Sequence, residues 1–190
     1  MYLPDYNVSL KVAAENDVRS EVSRAAGSYM APLPEKLDIV FINNGAGPDG
    51  KLSVIRSSAD KYETSAKIIA GNYYVEASNY KTEEEALLAN GGKGAARYYG
   101  KSINYDILNG GVTNIAMETS VSNALLRIAP AGFGSLYQLK SIQVQSRQEG
   151  KVLRTVECTS FNGVSSFGRG GGGCVVYGRS AHLPDGILYF

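Results

Sequence analysis

The chain of 190 residues contains no tryptophan, one histidine and two cysteines. A zinc site needs several His, Cys or acidic ligands close together, and these three residues cannot supply one without several acidic partners. A histidine-based catalytic triad would have to use His182, which lies just before a Pro-Asp-Gly turn. We therefore expect His182 to be a surface or turn residue. We predict no catalytic, metal or cofactor site.

Charge is also scarce. Charged residues make up 19% of the chain, the formal net charge is +1 and the sequence pI is about 7.7. This balance argues against a nucleic-acid binder that relies on a broad basic face. No apolar run approaches the roughly 20 residues of a membrane span. The first ten residues, "MYLPDYNVSL", lack the basic and apolar segments of a signal peptide, so we expect either a cytoplasmic protein or one whose signal has been removed.

Glycine and tyrosine are abundant, with 22 and 13 residues, and many segments alternate between apolar and polar residues. Alternation predicts strands at "NVSLKV" (7–12), "LDIVFIN" (37–43) and "KLSVIRS" (51–57). About ten or eleven short strands with no strand-helix-strand repeat are typical of all-β sandwiches or barrels. The pattern weakens near residue 118. We therefore predict a first β-sandwich over 1–118 and a second, smaller one, complete or incomplete, over 119–190.

One segment changes to a helical pattern. Thr82 and Glu85 form a capping box in "KTEEEALLANGG" (81–92), and Gly91 can end the helix. We predict one short helix near residues 83–90, in which Glu83–Glu85 complement the helix dipole rather than bind a metal. The mixed segment 14–35 is predicted to be a long connection or a mobile segment.

Two glycine-rich segments match the spacing of a dinucleotide-binding loop. "GAGPDG" (45–50) follows an apolar strand, but the sequence after it is β-branched and alternating rather than helical. It predicts a hairpin turn. "GRGGGG" (168–173) has low complexity and predicts a loop.

Cys158 and Cys174 leave two alternatives open, a disulfide across a short loop or two buried free thiols. The 18 acidic residues leave a carboxylate-based enzyme open as well, although no pair stands out.

The tyrosine pairs in "NYYV" and "RYYG" are the remaining signal. Adjacent residues of a strand point to opposite faces, so one tyrosine of each pair should face outward. Alternation makes Tyr74 the outward residue, beside Glu76, but does not assign Tyr98 and Tyr99. Exposed tyrosines can grip protein or sugar, so Tyr74, Tyr98 and Tyr99 are candidate contact residues. Scattered surface aromatics explain them equally well.

Several segments in order resemble a known family. The strand "LDIVFINN", then "IIAGNYYVEASN", then "ARYYGKSINYDILNGGVTNIAMETSVSNALLRI" are similar to fimbrillin-like cell-surface proteins of Bacteroidales, in particular a domain of unknown function found in their surface lipoproteins. The resemblance covers most of residues 7–130. It implies tandem transthyretin-like sandwiches, no enzymatic activity, no cofactor, and a role in fimbria assembly or adhesion. It also implies a location at the cell surface or outer membrane, with a lipoprotein anchor removed from this chain.

The resemblance further implies a route of assembly. In that family an arginine-specific cut can remove the first strand and open a groove for a strand of another subunit. Arg19 and Arg24 occupy a comparable place in this sequence. A cut after Arg24 would free "NVSLKV" and create a site for strand addition, whereas an uncut surface loop explains the same residues. The terminal "ILYF" is either a donor strand or the last strand of the second sandwich.

Two functions from different classes follow. The first is a non-enzymatic structural or adhesion protein whose partners are other fimbrial or surface proteins. The alternative is a carbohydrate-binding module of a surface lipoprotein, with host glycans as ligands and the exposed tyrosines as its platform.

Overall fold

The computed structural model of the chain describes residues 5–18, 29–128, 141–148, 150–158 and 174–178, and these are mostly strand. The strands are β1 (Val8–Glu15), β2 (Asp17–Val18), β3 (Tyr29–Met30), β4 (Lys36–Asn43), β5 (Gly50–Ser58), β6 (Lys61–Ala66), β7 (Gly71–Ser78), β8 (Tyr98–Lys101), β9 (Tyr105–Ile107), β10 (Thr113–Val121), β11 (Ala124–Ile128), β12 (Ile142–Gln148), β13 (Lys151–Cys158) and β14 (Cys174–Gly178). Helix α1 (Glu83–Leu88) precedes a 3-10 turn at Asn90–Gly92. The all-β prediction is confirmed. In the part of the chain that the structure describes, no helix is both long and apolar enough to span a bilayer.

The described residues divide into two compact units. The first takes those of Met1–Thr82 and Ala96–Ser122, and the second takes those of Glu83–Ala95 and Asn123–Phe190. Strand β10 runs across residue 118, where the sequence predicts a boundary. The predicted pair of tandem sandwiches and its boundary stay predictions.

The first unit is built on a closed, barrel-like ring of strands. Its order is β4-β5-β6-β1-β10-β8-β7, and β7 pairs back with β4 to close the ring. Strand β9 joins the same edge of β7 that β8 occupies further along. Because each strand of the ring has a neighbour on both sides, the closure covers edges that would otherwise pair with other chains.

The core of the first unit fills the inside of this ring. Period-2 alternation turns every second side chain inward, and the large inward residues are almost completely buried: Val8, Leu10, Val12, Leu37, Ile39, Phe41, Tyr62, Tyr73, Val75, Tyr98 and Ile115. The rings of Phe41 and Tyr73 meet edge to face, with centroids 6.5 Å apart. Burial of each such side chain stabilises the fold by about 1.5–3 kcal/mol.

The predicted turn at residues 45–50 is confirmed. Strands β4 and β5 pair antiparallel on either side of it, with Phe41 opposite Gly50. The Asn43 side chain accepts a hydrogen bond from the Gly45 backbone N–H at 2.7 Å, and the Asp49 carboxylate accepts one from the Asn43 N–H at 3.0 Å. Strand β5, not a helix, follows, so the segment lacks the geometry of a dinucleotide loop.

The second unit contains the predicted helix, two strand pairs and a small core. Helix α1 ends before Gly91, whose φ of 65° suits a residue without a side chain. Arg154 on β13 donates hydrogen bonds to the carbonyls of Leu87, at 2.9 Å, and Gly92, and desolvation lowers the pKa of its guanidinium. These bonds satisfy carbonyl groups at the end of the helical segment.

Strand β12 pairs with β13, and β11 pairs with β14. Val156, Cys158 and Val176 form the buried cluster of the second unit. Cys158 is disulfide-bonded, and the sequence holds one other cysteine, Cys174. No cysteine among the described residues is free, so the alternative of two free thiols is wrong.

Candidate functional site

The first strand, β1, has a hydrogen-bonded neighbour on each of its two sides, so it is not an edge strand. Strand β1 pairs parallel to β10, from Val8 opposite Thr113 to Glu15 opposite Ser120. Its other edge pairs antiparallel to β6, from Val8 opposite Ala66 onward. The strand predicted over 7–12 is confirmed and extends to residue 15. The connection that follows contains the short ribbon of β2 and β3.

Strand β1 contributes a full row of side chains to the core. Val8, Leu10, Val12 and Ala14 are 0–3% exposed. Burial of the three larger ones contributes on the order of 5–9 kcal/mol, before any backbone hydrogen bond is counted. A break in the chain behind β1 would therefore not by itself release the strand.

The start of β1 is fixed by Asn7, a residue that the sequence reasoning missed. Its amide Nδ2 donates to the carbonyls of Ile68, at 2.8 Å, and Leu108, at 3.2 Å, while its Oδ1 accepts from the Ile68 N–H at 2.8 Å. Asn7 is 6% exposed, and its own backbone N–H and C=O pair with Ala66 and Thr113. An asparagine just before an alternating run was the available signal, but such a residue is equally typical of a turn.

The far end of β1 meets the connection that leads into β4. Asn16 and Ala31 exchange hydrogen bonds, at 3.1 Å from the Asn16 side chain and 2.9 Å from the Ala31 N–H. The Tyr62 hydroxyl donates to the Pro34 carbonyl at 2.5 Å, and the Tyr98 hydroxyl donates to the Ala31 carbonyl at 3.2 Å. Two inward tyrosines, neither of them on β1, therefore hold segment 31–34 against this end of the ring.

The two predicted processing residues, Arg19 and Arg24, lie outside the described residues, as do His182 and the terminal "ILYF". In sequence, both arginines fall between β2 and β3. The structure thus describes both sides of the link that contains them.

The tyrosine pairs divide as alternation requires. Tyr73 and Tyr98 are 0% exposed, whereas Tyr74 and Tyr99 are half-buried and point outward. The outward orientation predicted for Tyr74 is confirmed, whereas its role as a contact residue stays a prediction. Tyr98 is corrected, because a fully buried side chain inside the ring cannot contact a partner at the surface.

The outward tyrosines lie among charged side chains, and we call Tyr74, Glu76, Arg97, Tyr99 and Lys101 the tyrosine face. The Lys101 Nζ lies 3.8 Å from the centroid of the Tyr74 ring, and the Arg97 Cζ lies 4.8 Å from that of Tyr99. The Tyr99 hydroxyl donates to Glu76 Oε1 at 3.0 Å. Desolvation and this hydrogen bond raise the pKa of Tyr99, so the phenol stays protonated at neutral pH. The face therefore offers apolar rings beside hydrogen-bond donors and one carboxylate.

An open cleft of about 660 Å³ adjoins the tyrosine face, because Lys101 belongs to both. Its floor is the outer surface of β6, β1 and β10, where Ala13 and Ala116 are too small to fill the space. Lys11 and Glu63, which lie opposite each other on β1 and β6, form an ion pair on this floor at 3.6 Å. Lys61 and Glu118 line the cleft together with Ile103 and Tyr105, so its lining combines charged, apolar and aromatic groups.

Nothing in the described part of the chain resembles a metal centre, since no group of three or more His, Cys, Asp or Glu residues there could hold an ion. Glu83–Glu85 lie in the first turn of α1, as predicted.

Comparison with known proteins shows which solved structures the fold is similar to. No family model matches the sequence, and no curated protein matches it at a significant level. The structure is similar to that of a DUF1812 protein from Bacteroides thetaiotaomicron VPI-5482, provisionally named as polysaccharide binding, with a TM-score of 0.52 and 9% identity over 91% of this chain and 72% of that chain. At this identity the likeness shows the fold alone.

Two further solved structures are more distant. A provisionally named adhesin from Bacteroides ovatus ATCC 8483 has a TM-score of 0.46 and 13% identity over 96% of this chain and 71% of that chain. A fimbrilin from Porphyromonas gingivalis W83 has a TM-score of 0.39 and 14% identity over 75% of this chain and 50% of that chain.

Proposed function

We propose that the chain is a non-enzymatic cell-surface protein of the fimbrillin-like type, with a structural or adhesive role, that assembles by β-strand addition. One observation carries the proposal: β1 is paired on both edges and buried in the core, yet one break in the link after Val18 would separate it from β3 and all that follows. A strand attached in this way can be replaced by an equivalent strand of another molecule without refolding the rest.

The groove left by β1 would keep its shape at one end. Segment 31–34 is held by Tyr62 and Tyr98, which stay with the body of the protein when the link is cut. The edges of β6 and β10 would then expose unpaired backbone groups along an apolar trough. An incoming strand restores the same hydrogen bonds and the same burial, so exchange costs little once the resident strand begins to leave.

One observation supports a location outside the cytoplasm. A disulfide at Cys158 is typical of proteins that pass through an oxidising compartment. Anchoring through a lipoprotein segment removed from this chain, at the cell surface or outer membrane, belongs to the same proposal.

Cleavage by an arginine-specific protease tests the assembly. We expect cutting after Arg19 or Arg24. When the cut chain is mixed with uncut chain, whose β1 is still joined to its body, we expect oligomers seen by size-exclusion chromatography with light scattering. Arg19→Lys combined with Arg24→Lys, treated with the protease alone, should stay uncut in the link and monomeric, because lysine keeps the charge but not the cleavage site. Arg56→Lys, at an exposed position on β5, is the matched control and should behave like the native chain. An intact N-terminus, or a mixture of cut and uncut chain in which no oligomer forms, would contradict the proposal.

A second function, carbohydrate binding, is favoured by the tyrosine face and the adjoining cleft. Aromatic rings with neighbouring cations and a carboxylate match the apolar faces and hydroxyls of sugars. The name of the Bacteroides thetaiotaomicron protein supports the same class of ligand. A glycan array should show saturable binding that Tyr74→Ala abolishes. Tyr6→Ala, which removes an exposed tyrosine elsewhere, should leave it unchanged; equal effects of the two changes would rule the face out.

A further inference from the structure

Three backbone groups bind the side chain of the residue that precedes β1. We call the N–H and C=O of Ile68 and the C=O of Leu108 the amide pocket, because the Asn7 side chain bonds to all three. All three groups belong to the body of the protein, so they remain when β1 leaves. Asn7 is 6% exposed, and any strand that takes its place must satisfy the same groups away from bulk water.

Few side chains can occupy this pocket. The occupant must donate two hydrogen bonds and accept one at the end of a single methylene, as the amide of asparagine does. Aspartate of the same shape has no donor when ionised and would face two carbonyl oxygens. Glutamine is one methylene too long, and an aliphatic side chain would leave all three groups unpaired.

The pocket also sets the register of the strand. Val8, Leu10, Val12 and Ala14 follow Asn7 at the first, third, fifth and seventh positions, and all face inward. A shift by one residue would turn this apolar row outward. A shift by two would keep the row inward but move the asparagine away from the pocket. Alternation alone cannot prevent the second error, whereas the amide can.

We propose that the amide pocket selects the strand that adds to this protein. The selected strand runs parallel to β10 and carries an asparagine, then apolar residues at the next alternate positions, then a small residue at the seventh. This inference rests on the proposed function and gives its partner a chemical definition. Residues 7–14 of a second copy of this chain meet the definition, so the partner is an uncut second copy, whose donated β1 is still joined to its own body.

Exchange of β1 by a peptide tests the inference. The full chain carries a specific protease sequence between residues 19 and 28, is cut there, and is mixed with an excess of labelled peptide spanning residues 5–18. Native mass spectrometry measures how much peptide replaces the resident strand. Peptides with Asn7→Ala or Asn7→Asp should bind about tenfold more weakly, or worse, than the native peptide.

A matched control is available within the same peptide. Asn16→Ala deletes the same group at the other end of the strand, where the side chain makes one hydrogen bond to the Ala31 carbonyl, at 3.1 Å. It should bind within about threefold of the native peptide. A second readout is hydrogen exchange at the Ile68 amide. This proton should be protected by the native and Asn16→Ala peptides and unprotected in the small fraction that binds Asn7→Ala.

The outcomes separate the two proposals. If Asn7→Ala binds as well as the native peptide, the pocket does not select and the inference is overturned, while strand addition stands. If the native peptide does not exchange, or if the cut chain unfolds, strand addition itself fails and the inference fails with it.

Discussion

Strands β1 and β7 follow the same local pattern but differ in how they are held. Each has an asparagine at its start, Asn7 just before β1 and Asn72 as the second residue of β7. Each alternates between inward apolar and outward polar residues and has neighbours on both of its edges. Asn7 is buried and bonds to backbone groups of two distant turns. Asn72 is exposed and bonds to the side chains of Asp106 and Asn44, each at 2.6 Å.

The pairing partners differ as well. Strand β7 pairs antiparallel with every neighbour, and the chain continues on both sides of it through described residues, 67–70 before it and 79–97 after it. Strand β1 pairs parallel to β10, across more than 100 residues of sequence, and is followed by the link that holds Arg19 and Arg24. Alternation is common to the two strands, so under the proposed function the connection and the terminal side chain are what should make β1, and not β7, exchangeable.

The largest effect is expected at the centre of β1. Leu10→Ala should lower the free energy of unfolding by about 2–5 kcal/mol, because it removes a side chain that is 1% exposed and leaves a cavity. Urea denaturation measures the change, and Lys11→Ala, at the neighbouring exposed position, should stay within about 0.5 kcal/mol of the native chain.

Leu10→Ala also tests whether β1 is held in the ring separately from β7. In the chain cut within the link, Leu10→Ala should speed the release of β1. Val75→Ala, which also removes apolar atoms from the ring, should destabilise the body without a selective effect on release. Equal effects of the two changes on release would show that β1 is not held separately.

A smaller effect is expected at the two asparagines. In the uncut chain Asn7→Ala should cost about 1–3 kcal/mol, because it leaves the buried groups of Ile68 and Leu108 without a partner. Asn72→Ala should change the free energy of unfolding by no more than about 0.5 kcal/mol, since the position is exposed. Similar losses at both positions in urea titrations would remove the distinction between the two strands.

The smallest effect on stability near neutral pH is expected from two tyrosines. This effect grows as the pH rises. Desolvation raises the pKa of Tyr62, which lies opposite Val12 of β1, and of Tyr99, on the strand beside β7. A raised folded-state pKa means that the unfolded chain loses its proton first. The contribution to stability is therefore complete below pH 10, the ordinary tyrosine value, and falls as the pH rises through and above it.

Unfolding curves measured between pH 8 and pH 11 check this dependence. Tyr62→Phe should reduce the fall in the free energy of unfolding with pH, because it removes the phenol that faces β1. Tyr99→Phe should do the same by removing the phenol beside β7. A stability that rises from pH 9.5 to pH 11 would contradict the stated direction.

The sequence predicted those features that local pattern encodes. Strands β1, β4 and β5, the turn at 45–50 and the short helix all follow from alternation, turn residues and a capping box within a few positions. The outward orientation of Tyr74 follows in the same way. Tyr98 and Tyr99 stayed unassigned because β8 has four residues, too few for the alternation to show its phase.

The closure of the ring was not predictable from one sequence. Pairing of β4 with β7 and of β1 with β10 joins segments that are far apart, and no local signal states which strands meet. The role of Asn7 depends on the same pairing, because its partners at Ile68 and Leu108 reach it only once β6 and β10 flank β1. The part of the site missed by the sequence is therefore the part made by long-range contacts.

The most direct test of the account is exchange of β1 between whole molecules. Isotope-labelled and unlabelled full chains are both cut by the arginine-specific protease, mixed, and examined by native mass spectrometry over time. We expect labelled first-strand fragments to accumulate on unlabelled bodies until both labels are evenly distributed. Fragments that stay with their original bodies while the fold remains intact would contradict the claim that β1 is an exchangeable strand.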